Sequence, residues 1–138
     1  MSRWVDDRYC FACGEKNPVG MRLRFNLTEG GIETHYTFPK EFQGYADTAH
    51  GGMISLLLDE IMVNLPWQKY NVPVVSADIR VKLKRPLKTG VPVTARARFI
   101  KERKKVFVVG SEVIRDSDGA LIAAGEAVCV KVDVEQLK

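Results

Sequence analysis

The sequence predicts an α+β fold in which an antiparallel sheet of five to six strands wraps one long central helix. Three observations carry that prediction. Two segments, "VSADIRVKLKRP" and "VPVTARARFI", alternate over residues 77–84 and 93–99 between apolar and charged or polar residues, the period of a strand with one face on a core and the other in water. One segment, "GGMISLLLDEIMVNL", is almost wholly apolar and long enough for four turns of helix. The order along the chain is a hairpin, a loop, that single helix and then four strands, which gives an antiparallel sheet rather than a parallel one.

Each element has its own signal. "MRLRFNLTE" and "GIETHYTF" read as a hairpin turning near Gly30 and Gly31. The helix runs from about Gly51 to Leu65, where Pro66 stops it. Ile54, Leu57, Leu58, Ile61 and Leu65 share one broad face, and Gly52, Ser55 and Asp59 another, with Met62 and Val63 beside them. In the next strand Ala77, Ile79, Val81 and Leu83 alternate with Asp78, Arg80, Lys82 and Lys84, and Val93, Ala95, Ala97 and Phe99 follow against Thr94, Arg96 and Arg98. "KKVFVVGSEVIRD" is apolar on both sides in its middle, "SDG" at Ser117 to Gly119 is a turn, and "ALIAAGEAVCVKV" is the last strand. The strands, at roughly 33 Å, outreach a helix of about 22 Å. One helix covers one face, so the rest of the sheet is wet or meets a partner subunit.

A chain of 138 residues, 46% hydrophobic and 28% charged, fits a single domain over residues 1–138, with residues 1–20 as a lead-in. No apolar run approaches the roughly 20 residues that span a bilayer, and "MSRWVDDRYCFACG" lacks an apolar signal core. A cytoplasmic protein without membrane contact is expected. The net charge of +4 permits an anionic partner, but no basic surface interleaved with aromatics and no recognition helix points to nucleic acid. Cys10 and Cys13 have the C-x-x-C spacing of a zinc knuckle. A full site needs two more ligands, and the chain offers Cys129, His35 and His50 without a second C-x-x-C. The two are read as core or cap cysteines, with no metal and no cofactor expected.

The stretch "TAHGGMISLLLDEIM" holds the chemistry. Paired glycines are poor helix formers, yet they open this helix, and an acid sits in its middle. "HGGMISLLLDE" after a hairpin, followed by "VSADIRVKLKRPL", resembles the hotdog-fold acyl-CoA thioesterases of the phenylacetate-degradation (PaaI-type) group, and "CFACGEKNPVGMRLRF" is similar to the start of many members. The resemblance covers nearly the whole chain. It implies a homodimer or homotetramer with joined sheets, an active site at the subunit interface, and hydrolysis of a small, aromatic or fatty acyl-CoA. It places the catalytic acid at Asp59, nine positions after His50, a water-holding serine at Ser76, and a loop amide at Gln43.

Elementary chemistry agrees with that implication. Thioester hydrolysis needs a nucleophile and donors aimed at the oxygen that becomes negative. The first amides of a helix lack intrahelical acceptors and favour negative charge, and glycine lets a substrate approach them. Gly51, Gly52 and Met53 are the candidate oxyanion donors, with Ser55 on the stripe that leads to Asp59. Arg80, Lys82, Lys84 and Arg85 are candidates for the phosphates of coenzyme A. Competing readings stand beside these. The glycines serve close packing, Thr48 caps the helix, Asp59 joins a structural ion pair, and Ser76 faces water with the charged residues of its strand. His50 orients the site or is structural, and Glu60, about 100° from Asp59, is a solvent or interface residue. The alternative function is a non-catalytic acyl-CoA or lipid-binding protein, with a dehydratase third.

Overall fold

The computed structural model describes residues 6–133. Strands β1 (Asn26–Thr28) and β2 (Gly31–Thr37) form the hairpin, and a 3₁₀ turn (Lys40–Phe42) leads towards helix α1 (Gly51–Tyr70). Strands β3 (Val74–Leu83), β4 (Pro92–Glu102), β5 (Val106–Arg115) and β6 (Leu121–Lys131) follow. All six lie in one antiparallel sheet of order β1-β2-β4-β5-β6-β3. The helix lies across the concave face. Ile54, Leu57, Leu58, Ile61, Met62 and Leu65 are buried against Ala95 and Ala97 of β4, Val109 and Val113 of β5, and Ala123 and Ala127 of β6. The alternation read in β4 holds for Val93, Ala95 and Ala97, which are inside, and for Arg96 and Arg98, which are exposed, but Thr94 of the polar side is buried as well, its hydroxyl donating to Asp116 Oδ1 at 2.7 Å.

Three local expectations are corrected. The helix does not stop at Pro66 but continues to Tyr70. Pro66 deprives the Met62 carbonyl of its helical donor, a change that costs about 3 kcal/mol in a helix interior. Packing offsets the loss: Pro66 itself is buried, and Tyr70 stacks on Phe99 and Phe107 with ring centroids 5.6 and 6.1 Å away. The chain leaves the helix at Asn71, whose left-handed backbone (φ 58°) returns its N–H to the Trp67 carbonyl. At 20 residues, or about 30 Å, the helix now matches the strands.

The first hairpin is shorter than its sequence signal. Only Asn26–Thr28 pair with β2. Upstream, Met21 and Leu23 are buried, and their amides bond the carbonyls of Phe11 and Ala12 at 2.8 and 2.9 Å, so this segment folds onto the lead-in instead of the sheet.

The third correction is in β3. Ser76 pairs with Cys129 and Asp78 with Val128, which leaves Ala77 as an extra, bulged residue. Directly paired residues share a face, and Cys129 is fully buried. The bulge therefore turns Ser76 towards the helix, together with Ile79, Val81 and Leu83, and removes it from the charged face. Ala77, expected inside, is exposed. Since β3 is the outermost strand beyond β6, Ile79 and Leu83 stay 39% and 53% exposed although they lie on the apolar side.

The hairpin makes a paired prediction. A Cβ on Gly31 would lie 1.9 Å from the Ala97 carbonyl oxygen, whereas one on Gly30 would meet nothing within 4 Å. Gly31→Ala should destabilise the chain by about 2 kcal/mol or more, and Gly30→Ala by less than about 0.5 kcal/mol. Urea unfolding of the two variants gives the comparison, and equal midpoints would contradict the close β2–β4 approach.

Candidate active site

The loop before α1 is pinned on both sides. Gln43 bridges Ala49, Thr48 bridges Lys88, the Ala49 amide bonds the Leu87 carbonyl at 2.8 Å, and the His50 amide bonds the Phe42 carbonyl at 3.0 Å. These contacts fix the helix start. The N-cap is His50, not Thr48: His50 Nδ1 accepts from the Gly52 amide at 2.9 Å, while the Thr48 hydroxyl turns to the Ala46 carbonyl. The His50 carbonyl accepts from the amides of Met53 and Ile54 at 2.9 and 3.1 Å. Of the three amides expected to be open, those of Gly52 and Met53 are thus engaged. The Gly51 N–H alone has no acceptor among the described residues. Gly51 lines a cavity of about 600 Å³ together with His50, Ile54, Leu83, Lys84 and Arg85.

The other expected contacts near this end divide. Lys84 and Arg85 reach the cavity, with Arg85 Nη1 held by the Leu121 carbonyl at 2.8 Å. Arg80 and Lys82 are exposed and lie outside it. The Ser55 hydroxyl donates to the Gly51 carbonyl at 2.8 Å, so it braces the first turn. Gln43 Oε1 accepts from the Asp47 amide at 2.9 Å and from Lys40 Nζ at 3.4 Å, which organises the loop.

Asp59 lies two turns further along α1, about 12 Å from Gly51. It is half-buried, and its Oδ1 is fully buried without a hydrogen-bond partner. Among the described residues it joins no ion pair. Burial pushes its pKa up, and the neighbouring Ser76 hydroxyl pulls the other way. Cys129, across from Ser76, has its thiol pushed up to about 11 by burial and by the Asp59 charge. The bulge in β3 thus brings Ser76 and Asp59 together at the sheet edge. Asp59 does not line the cavity that holds the Gly51 amide.

Two neighbours were not legible in the sequence. Cys129 stood out there only as a spare thiol. Glu60, read as a solvent or interface residue, turns to the lead-in instead: its Oε1 accepts from Asn64 Nδ2 at 3.0 Å and lies 3.7 Å from Cys10 Sγ. The partners are 50 residues apart in the chain, and no spacing rule signals such a contact.

The family model of the thioesterase superfamily matches residues 46–122, which include the helix, the glycine pair and Asp59. The chain belongs to the thioesterase superfamily. No match was found among curated proteins. Among solved structures, a thioesterase from Haemophilus influenzae is 19% identical at a TM-score of 0.77, over 88% of this chain and 86% of that one. The E. coli PaaI protein from the phenylacetic acid degradation operon is 17% identical at 0.75, over 82% and 81%. A hypothetical thioesterase from Streptococcus pneumoniae, solved with coenzyme A, is 14% identical at 0.72, over 80% and 85%. At these identities the likeness is one of fold, and the fold is the hotdog. No helix among this thioesterase's described residues is long and apolar enough to cross a membrane.

The Asp59 environment sets a pH dependence. A carboxyl whose folded-state pKa is raised holds its proton more tightly in the folded chain. Its favourable contribution is complete below the unfolded value and fades as pH rises through the folded one. Asp59→Asn should therefore raise the melting temperature at pH 7. The gain should shrink as the pH falls towards about 4. Thermal scans of both proteins across that range test the sign, and a variant less stable at pH 7 would show that the ionised carboxylate stabilises the fold.

Proposed function

We propose that this thioesterase hydrolyses the thioester of an acyl-coenzyme A, with Asp59 as general base and the Gly51 amide as oxyanion donor. The observation that carries the reading is Asp59 itself, a half-buried carboxylate with an unpartnered buried oxygen beside the Ser76 hydroxyl. An acid left in that state is costly for stability, and a base with a raised pKa suits proton abstraction at neutral pH. Water held by Ser76 loses its proton to Asp59 and attacks the carbonyl carbon. The oxygen that becomes negative accepts the Gly51 N–H at the positive end of the helix. The tetrahedral intermediate collapses, the carbon–sulfur bond breaks, and coenzyme A leaves as the thiol with the proton from Asp59. Lys84 and Arg85, at the same cavity as Gly51, meet the phosphates of the coenzyme. His50 orients the helix start by capping Gly52.

The roughly 12 Å between Gly51 and Asp59 on one helix argues for a site shared between subunits. The exposed apolar residues of the β3 edge, Ile79 and Leu83, provide the joint. A second copy paired along this edge sets Asp59 of one protomer against the helix start of its partner. The assembly is accordingly a homodimer or a multiple of one.

Two experiments follow. Asp59→Asn keeps the shape and removes the base, so kcat on any active acyl-CoA should fall by about two to four orders of magnitude while binding survives. Gly51→Val should depress binding and turnover together. Parental kcat in Asp59→Asn would sink the mechanism. Light scattering should report a dimer or tetramer at micromolar concentration. Ile79→Lys should yield a folded monomer without activity. A parental protein that is monomeric and fully active would overturn the shared site.

A further inference from the structure

We infer that Cys10, Cys13 and Glu60 form a site for a thiolate-binding divalent metal, zinc being its natural occupant. Their ligand atoms all lie within 4.8 Å of one another, and Cys10 Sγ is 3.7 Å from Glu60 Oε1. Tetrahedral zinc, with bonds of about 2.3 Å to sulfur and about 2.1 Å to oxygen, sets two thiolates about 3.8 Å apart and sulfur from oxygen about 3.6 Å. The cluster is within about 1 Å of that geometry.

The surroundings are built to hold it. The C-x-x-C turn closes through the Gly14 amide on the Cys10 carbonyl at 2.8 Å. A Cβ at position 14 would lie 2.4 Å from the Cys10 nitrogen and 2.6 Å from the Arg8 carbonyl oxygen, so the turn admits only glycine. Glu60 is aimed by Asn64, whose Nδ2 bonds both its carboxylate (3.0 Å) and its carbonyl (2.9 Å), the kind of support that orients a metal ligand. The three groups share a cavity of about 630 Å³ that leaves a fourth position to water. Arg8 and Arg24 line the same cavity with Asp6 and Glu15, and both arginines pair with Glu15, at 2.6 and 3.8 Å, so the lining around the cluster carries no net charge of its own. Both thiol protons are released as the sulfurs coordinate, and no electron is transferred. The metal fastens the lead-in to α1 one residue from Asp59 and takes no part in the hydrolytic step.

Zinc titration of the reduced, metal-free, full-length protein tests the site. Calorimetry should give one zinc per chain with Kd below about 1 µM, and cobalt(II) should produce a thiolate-to-cobalt charge-transfer band. Cys13→Ser should weaken zinc binding about 100-fold or more and abolish that band, and Glu60→Gln should weaken it about tenfold or more. Circular dichroism checks that the variants are folded. If Cys13→Ser does not fold, Cys10→Ser at the exposed position serves instead. The assignment is overturned if the parental protein binds no zinc at this strength, or if removal of either cysteine leaves the affinity unchanged.

Discussion

The structure depends on the burial of one nearly all-apolar helix against one face of one sheet. Leu57, Leu58, Ile61, Met62 and Leu65 are fully excluded from water, and burying each such side chain contributes about 1.5 to 3 kcal/mol. No second helix exists among the described residues to share the task. Small residues of β4 and β6, Ala95, Ala97, Ala123 and Ala127, make room for the helix along its length. The strength of this packing explains how the helix runs through Pro66 and is anchored at its far end by Tyr70.

The same constraint shapes the site. A helix committed to the core along its whole length still exposes its first amides, because those have no intrahelical acceptor. His50 takes the Gly52 amide and its carbonyl takes those of Met53 and Ile54, so the engagement of three donors isolates a fourth at Gly51. At the sheet edge the helix cannot shield β3 fully. An acid on the helix flank there, Asp59, is half withdrawn from water without a charged partner among the described residues. One element therefore supplies a donor at its end and a perturbed acid on its side. The fold also separates them by about two turns of helix.

The lead-in is tied to the same helix. Its backbone closes on Met21 and Leu23, and its cysteines face Glu60. The cavity they line is distinct from the one at the helix start. The two carboxylates at adjacent positions thus have separate surroundings: Asp59 turns to β3 and Glu60 to the N-terminal turn.

The sequence by itself determined the architecture. Period-two alternation in β4, the apolar run of α1 and the glycine turn at the first hairpin are local patterns, and each is enforced by a core that accepts only one face of a strand. It also located the helix start and Asp59, because a glycine pair and an acid inside an apolar run depart from what packing alone selects. Tertiary structure decided the rest. The bulge at Ala77 reverses the side on which Ser76 lies, and period-two counting cannot see an inserted residue. The length of α1 past Pro66 rests on rings of β4 and β5 that are distant in sequence. Which amide stays free depends on the turn of the His50 ring, and Glu60 finds Cys10 across 50 residues. Pattern reads what one stretch of chain prefers for itself; a contact between distant stretches exists only after the helix and sheet have closed on each other.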